Sequence, residues 1–132
     1  MIVDTSAVVE YLRATGSSIH LRLSRAVRSK EEFWIPSIVV QEVLQGARST
    51  SHFMLLQRQI HQLPVFEPED YQALHRQAAL LYAQCRWRGI TVRNPIDCVV
   101  AACALEADRV LLARDRDFSE IAKVEPRLKL FS

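Results

Sequence analysis

From Ile96 to Ala107 the chain is apolar almost all the way round, interrupted mainly by Asp97 and Glu106. A helix with no clear polar face is a buried one, so this segment predicts a core helix. Asn94 suits its N-cap and Pro95 its first position, where a missing N–H costs nothing. After the polar pair Asp108-Arg109, the run Val110-Leu111-Leu112-Ala113 predicts a strand covered on both faces, as in a parallel sheet. It stops abruptly at Arg114-Asp115-Arg116-Asp117. Ile2-Val3 is a shorter strand of the same kind, followed at once by Asp4-Thr5-Ser6 and a helix over 7–12.

The remaining elements follow from spacing and punctuation. A helix over 17–30 carries Ile19, Leu23, Ala26 and Val27 on one stripe, with Arg22, Arg25 and Arg28 on its outer surface. Phe33-Trp34-Ile35 predicts a strand stopped by Pro36. Ser37 is expected to cap the next helix, which buries Val40, Val43, Leu44 and Ala47 and ends near Gly46. A helix over 51–62 bears Phe53, Met54, Leu55, Leu56 and Ile60, more apolar surface than one core-facing stripe needs. A homodimer contact and packing on two sides are both consistent with that surplus. Leu63-Pro64-Val65-Phe66 predicts a third strand. The longest helix follows, from the Pro68-Glu69-Asp70 start signal to the Gly89 stop. Leu128-Lys129-Leu130 predicts a last strand.

Strands alternating with helices imply an α/β fold: three α/β/α layers around a central parallel sheet. No linker, repeat or low-complexity stretch interrupts the chain, so residues 1–132 are expected to form one domain. No apolar run is long enough to cross a membrane, and the N-terminus has no signal-peptide pattern. The three cysteines form no CxxC pair, and Cys98 and Cys103 lie inside the apolar helix, as small buried hydrophobes in a reducing compartment. A cytoplasmic protein is expected. The net charge of +2 does not by itself mark a nucleic-acid binder. Among 17 basic residues, however, only Lys30, Lys123 and Lys129 are lysines. Arginine's planar fork suits phosphate, although an arginine-rich composition is also a genomic habit.

The candidate chemistry lies in the acids. Asp4, Asp115 and Asp117 stand where buried strands end, the edge at which open α/β sheets bind ligands, and Asp97 stands in the first turn of the buried helix. Taken singly, Asp4 and Asp97 are equally well read as helix caps, where an anion gains roughly 0.3–1 kcal/mol. Gathered together they repel, and a cation is the usual remedy. Other constellations are missing: no GxGxxG or P-loop, no paired histidines for zinc, no GxSxG elbow. Carboxylates without histidine or thiolate favour Mg²⁺ or Mn²⁺, ions that activate water and neutralise phosphate. By helical periodicity Glu42 falls on the polar side of its helix and reads as a solvated glutamate.

The ordered set MIVDTS, Glu42-Val-Leu-Gln-Gly46, Asp97 opening DCVVAACAL, and LLARDRDF resembles the PIN domain family. Its spacing is most like the bacterial ribonuclease toxins called VapC, and the resemblance runs over essentially the whole chain. It implies an acid quartet for metal at Asp4, Glu42, Asp97 and Asp115, with Asp117 as a further metal-site acid in an outer-shell role. It also implies an endoribonuclease that hydrolyses RNA phosphodiesters, tRNA and rRNA among the candidates, by a metal-activated water. A homodimer and a cognate antitoxin follow from the same resemblance. Ala113 departs from the pattern, which commonly has Thr or Ser there; Thr5 and Ser6 keep hydroxyls near the acids. Arg114 and Arg116 suit either RNA phosphate or local charge balance.

Two rivals come from other classes. A HAD-like metal-dependent phosphatase would use Asp4 as nucleophile, but it would place a second Asp where this chain has Ser6. A non-catalytic PIN-like module binding RNA or protein would have lost acids, and all four are present.

Overall fold

The computed structural model describes residues 1–131. Strand β1 (Ile2–Val3) runs parallel to a later strand, Leu111–Leu112, with Ile2 opposite Leu111 and Val3 opposite Leu112. Strand β2 (Ile35–Pro36) pairs in parallel with β3 (Val65–Phe66). Parallel bridges from Ile2 to Trp34 and from Leu111 to Leu130 join these pairs into one series. With Leu111–Leu112 as β4, the spatial order is β3-β2-β1-β4, and Leu130 lies beyond β4. The chain therefore builds outward from β1 to one side and then returns to build on the other. Between β1 and β4 lies the switch point, where a crevice opens at the carboxyl ends of the strands.

Each strand is only two residues long, and after β1 and β2 the helices begin almost at once. Helix α1 (Thr5–Leu12) follows β1 with Asp4 as its N-cap. After α2 (Ser18–Arg28), β2 runs directly into α3 (Ser37–Gln45), and α4 (Thr50–Ile60) precedes β3. Helices α5 (Tyr71–Trp87), α6 (Ile96–Ala107) and α7 (Asp117–Val124) complete the chain. Helices α1 to α4 pack in sequence as α2 on α1, α1 on α3 and α3 on α4, while α5, α6 and α7 pack on one another. The strands between them are apolar, with Ile2, Val3, Ile35, Leu111 and Leu112 buried and Val65 of β3 exposed. Among the described residues no helix is long and apolar enough to cross a membrane.

Helix α6 is buried as its composition requires, from Asp97 and Cys98 through Val100 to Ala104. Burial pushes the thiols of Cys98 and Cys103 up to about 12, so both stay protonated and apolar in character. At the end of α5, Gly89 takes a left-handed φ of 73° and the Ile90 N–H reaches back to the Cys85 carbonyl at 2.8 Å.

The structure departs from the sequence reading in several of its elements. Ser37 is the first helical residue and Pro36 occupies the N-cap of α3 without a side-chain bond. Pro36 also belongs to β2 rather than stopping it, standing opposite Phe66 in the parallel register. In α3 the buried residues are Val39 and Val43, while Val40 and Leu44, and Ala47 just beyond the helix, are half-buried; α1, α4 and α6 all pack on this helix. Arg22 is not an outer residue: it pairs with Glu31 at 3.0 Å and lies 5.1 Å from the centre of the Phe131 ring.

Candidate active site

The acids at the switch point sit where strands end and helices begin, and backbone N–H groups hold two of them, Asp4 and Asp115. Asp4 directly follows β1, and as N-cap of α1 its Oδ2 accepts from the Ser6 N–H at 3.0 Å and the Ser6 hydroxyl at 2.7 Å. Beyond β4, Asp115 Oδ1 accepts from the Asp117 N–H at 2.9 Å, which starts α7; Phe118 and Ile121 then sink that helix into the core. Asp97 rides on the first turn of α6. There Pro95, not Asn94, takes the cap position, but Asn94 one residue earlier still holds the turn: its Oδ1 accepts from the Ile96 N–H, and its carbonyl from that of Asp97, both at 3.0 Å.

One carboxylate oxygen from each of Asp97, Asp115 and Asp117 lies within 4.8 Å of the others. Asp4 and Glu42 stand outside that trio but near enough for their charge to act on Asp97. Burial, then the charges of Asp4, Asp115, Asp117 and Glu42, push the Asp97 carboxyl up to about 7. The Asp4 carboxyl is also raised, chiefly by burial, with the Ser6 and Thr5 hydrogen bonds opposing. Helices α1, α6 and α7 all begin at this crevice, and their positive dipole ends offset part of the crowding.

Glu42 is no solvated glutamate. Its Oε1 accepts from the Thr5 hydroxyl at 2.6 Å and its Oε2 from the Asn94 amide at 3.3 Å, so α3 is tied to the starts of α1 and α6. The packing of α3 on α1 and α6 turns this side chain toward the acids.

Two residues at the site escaped the sequence reading. Arg93 donates from Nε to both oxygens of Asp117, at 3.1 and 3.3 Å, and from Nη2 to Asp115 at 3.2 Å. Glu10, buried on α1, pairs with Arg114 and accepts from the hydroxyls of Thr15 and Ser17, and these partners hold its carboxyl below the usual range. The only sequence signal for Glu10 was an acid inside an apolar helical stretch; Arg93 sits in a loop and gave none. Ser6 supplies a further link, accepting from the Arg114 N–H at 2.9 Å while it donates to Asp4. It occupies the position of a phosphatase's second Asp and brings no acid there.

Whether a cation fits can be read from one atom. Asp97 is 6% exposed, yet its buried Oδ2 has no hydrogen-bond partner. An unpartnered buried carboxylate oxygen is costly, and here it belongs to the acid trio. The donors are carboxylate oxygens throughout, a hard set suited to Mg²⁺ or Mn²⁺.

Known proteins share both the sequence and the fold. Ribonuclease VapC11 of Mycobacterium tuberculosis and VapC ribonuclease Mb1587 of Mycobacterium bovis are each 36% identical over 126 residues, 94% of this chain and 92% of theirs. VapBC2 of Rickettsia felis, solved on a DNA fragment from its promoter, superposes with a TM-score of 0.75 at 18% identity, covering 98% of this chain and 96% of that one. VapBC-1 of nontypeable Haemophilus influenzae gives 0.70 at 18% identity over 99% and 96%. A sequence model of the PIN domain matches residues 1–124, a span that holds every acid described above. By this match and by its relatives, the chain belongs to the PIN domain family.

Proposed function

We propose that this protein is a Mg²⁺- or Mn²⁺-dependent endoribonuclease, the toxin of a toxin–antitoxin pair, with residues 1–132 forming one nuclease domain. The observation that carries the reading is the unpartnered, buried Asp97 Oδ2 within a trio of acids at the sheet's switch point. Asp97 and Asp115 would hold the ion, with Asp4 and Glu42 completing the acidic surround and Asp117 as the further acid of the trio. When bound, the ion neutralises charge on the phosphodiester and makes water acidic enough to attack at neutral pH.

The chain's own groups do the arranging. Ser6 fixes Asp4, Thr5 and Asn94 fix Glu42, and Glu10 fixes Arg114 beside Asp115. Arg116 is exposed at the same rim, suited to a backbone phosphate. No histidine joins the cluster among the described residues, so proton transfer falls to water and carboxylates. The 36%-identical relatives named as VapC ribonucleases support RNA as substrate, and the VapBC complexes of the same fold support an antitoxin as partner. A homodimer contact on α4 is part of the same reading.

Purified protein is expected to cut RNA with Mg²⁺ or Mn²⁺ and to stop in EDTA. Cleavage that persists in EDTA overturns the metal assignment. Release of phosphate from small esters with RNA left intact overturns the nuclease assignment.

A further inference from the structure

Arg93 occupies a position that the site's chemistry leaves unexplained. It belongs to the segment between α5 and α6, pinned on both sides: Val92 is buried in the core, and Asn94 bonds both the start of α6 and Glu42. The backbone at 93 is therefore fixed. The side chain is long and 59% exposed, so it has solvent to swing into when it leaves the acids.

Its guanidinium faces two of the three acids that approach one another. Nε addresses both oxygens of buried Asp117, and Nη2 addresses Asp115 Oδ1, which already receives the Asp117 N–H. Arginine stays charged at any relevant pH, so it cannot yield by losing a proton. A divalent cation held by the same carboxylates would be repelled by this charge, and solvent would screen such a pair only in part.

We propose that Arg93 is a built-in counter-cation, competing with the divalent ion for Asp115 and Asp117 and lowering the site's affinity for it. This inference rests on the metal reading of the acid site. In the metal-free protein Arg93 satisfies the two acids that no other cation partners among the described residues. Once displaced, its fork stands at the mouth of the crevice, placed for a phosphate of the incoming RNA. Arg93 is thus a positioning residue for the acids and a gate on their loading.

The test is Mn²⁺ titration calorimetry on the full chain without RNA, comparing wild type, Arg93→Gln and Arg93→Lys. Competition predicts that R93Q binds Mn²⁺ about tenfold or more tightly, the scale of one incompletely screened opposing charge. R93K, whose ammonium lacks the fork that spans both carboxylates, should fall between R93Q and wild type. R93Q should also melt lower than wild type in EDTA and gain more from Mn²⁺, whereas a merely structural arginine leaves the Mn²⁺ gain unchanged. Should R93Q fail to fold, R93K decides alone: tighter binding than wild type supports competition, and equal or weaker binding overturns it. Equal or weaker binding by R93Q overturns the inference and leaves the metal site standing. Absence of Mn²⁺ binding in all three proteins overturns both.

Discussion

The Thr5 hydroxyl donates to Glu42 Oε1 across 2.6 Å, joining residues 37 apart in the chain at the mouth of the acid site. This bond gives the glutamate a fixed direction that its place on the helix would not supply. Thr5→Val keeps the shape and removes the donor. It should cost about 1 kcal/mol of stability, the usual net worth of one hydrogen bond. RNA cleavage should fall by about tenfold, with Thr5→Ser restoring most of it, as read by melting and by initial rates. Unchanged rates in the valine variant would show that Glu42 needs no such support.

Asp97 offers a sharper test. Two like charges about 5 Å apart repel by roughly 3 kcal/mol at an effective dielectric of 20, before solvent and counterions reduce it. Asp97→Asn keeps the shape and deletes one of the crowded charges. It should melt at or above wild type in EDTA, gain less from Mg²⁺, and lose cleavage. An Asp97 that only caps α6 gives the opposite pattern: lower stability in EDTA, an undiminished Mg²⁺ gain, and activity retained.

The same crowding sets a pH dependence. In the fold the Asp97 carboxyl titrates at about 7 against an ordinary value of 3.8. Between those values the folded state holds more protons than the unfolded one, so stability falls as pH rises. Metal-free protein should therefore lose stability from about pH 4 to pH 7. The loss is at most about 4 kcal/mol, because one proton held across each pH unit is worth ~1.36 kcal/mol. Denaturant melts in EDTA across that range check the slope, and Asp97→Asn should flatten it.

Glu10 carries the reverse sign. Thr15, Ser17 and Arg114 hold its carboxyl below the ordinary 4.5, so its contribution is present above that value and fades as the pH drops. Glu10→Gln should lower the melting temperature at pH 7, and the difference from wild type should shrink as the pH is taken progressively below 4.5. Because Arg114 adjoins Asp115, the variant should also cleave RNA more slowly. A variant with wild-type melting at neutral pH would remove the claim.

Phe53, Met54 and Leu55 remain exposed on α4, and a groove of about 390 Å³ runs from Leu55 and Leu56 to Glu42. A homodimer should bury this helix, with wild type sedimenting as a dimer at micromolar concentration and Leu55→Glu as a folded monomer. A wild-type monomer under those conditions counts against the interface.

Local chemistry was legible in the sequence where one short segment contains both signal and partner. Asp4 and Ser6, or Asn94 with the first turn of α6, are two or three residues apart, and caps of this kind leave a mark. The buried character of α6 and β4 was equally plain. Glu42 was different: its partners lie 37 and 52 residues away, and only the packing of α3 brings them together. The resemblance supplied what helical periodicity denied. Arg93 was invisible because a loop arginine has no period, and its partners appear only when β4 and α7 are set beside the α5–α6 segment. The Ser37 cap failed because α3 starts one residue earlier than the spacing suggested, which puts Pro36, with no side-chain acceptor, at the cap position.

Helix α6 joins the reactive end of the molecule to its least forgiving part. Behind Asp97 come Cys98, Val100, Ala101, Ala102, Cys103 and Ala104, all buried, with small side chains that let neighbouring elements approach closely. Enlarging any one of them strains the packing by typically 1–3 kcal/mol and shifts the backbone that carries the acid. A lineage under selection to disarm this protein accordingly has a wide mutational target. Inactivating changes should arise throughout the interior, at alanines and cysteines that touch no substrate, as readily as at the acids themselves.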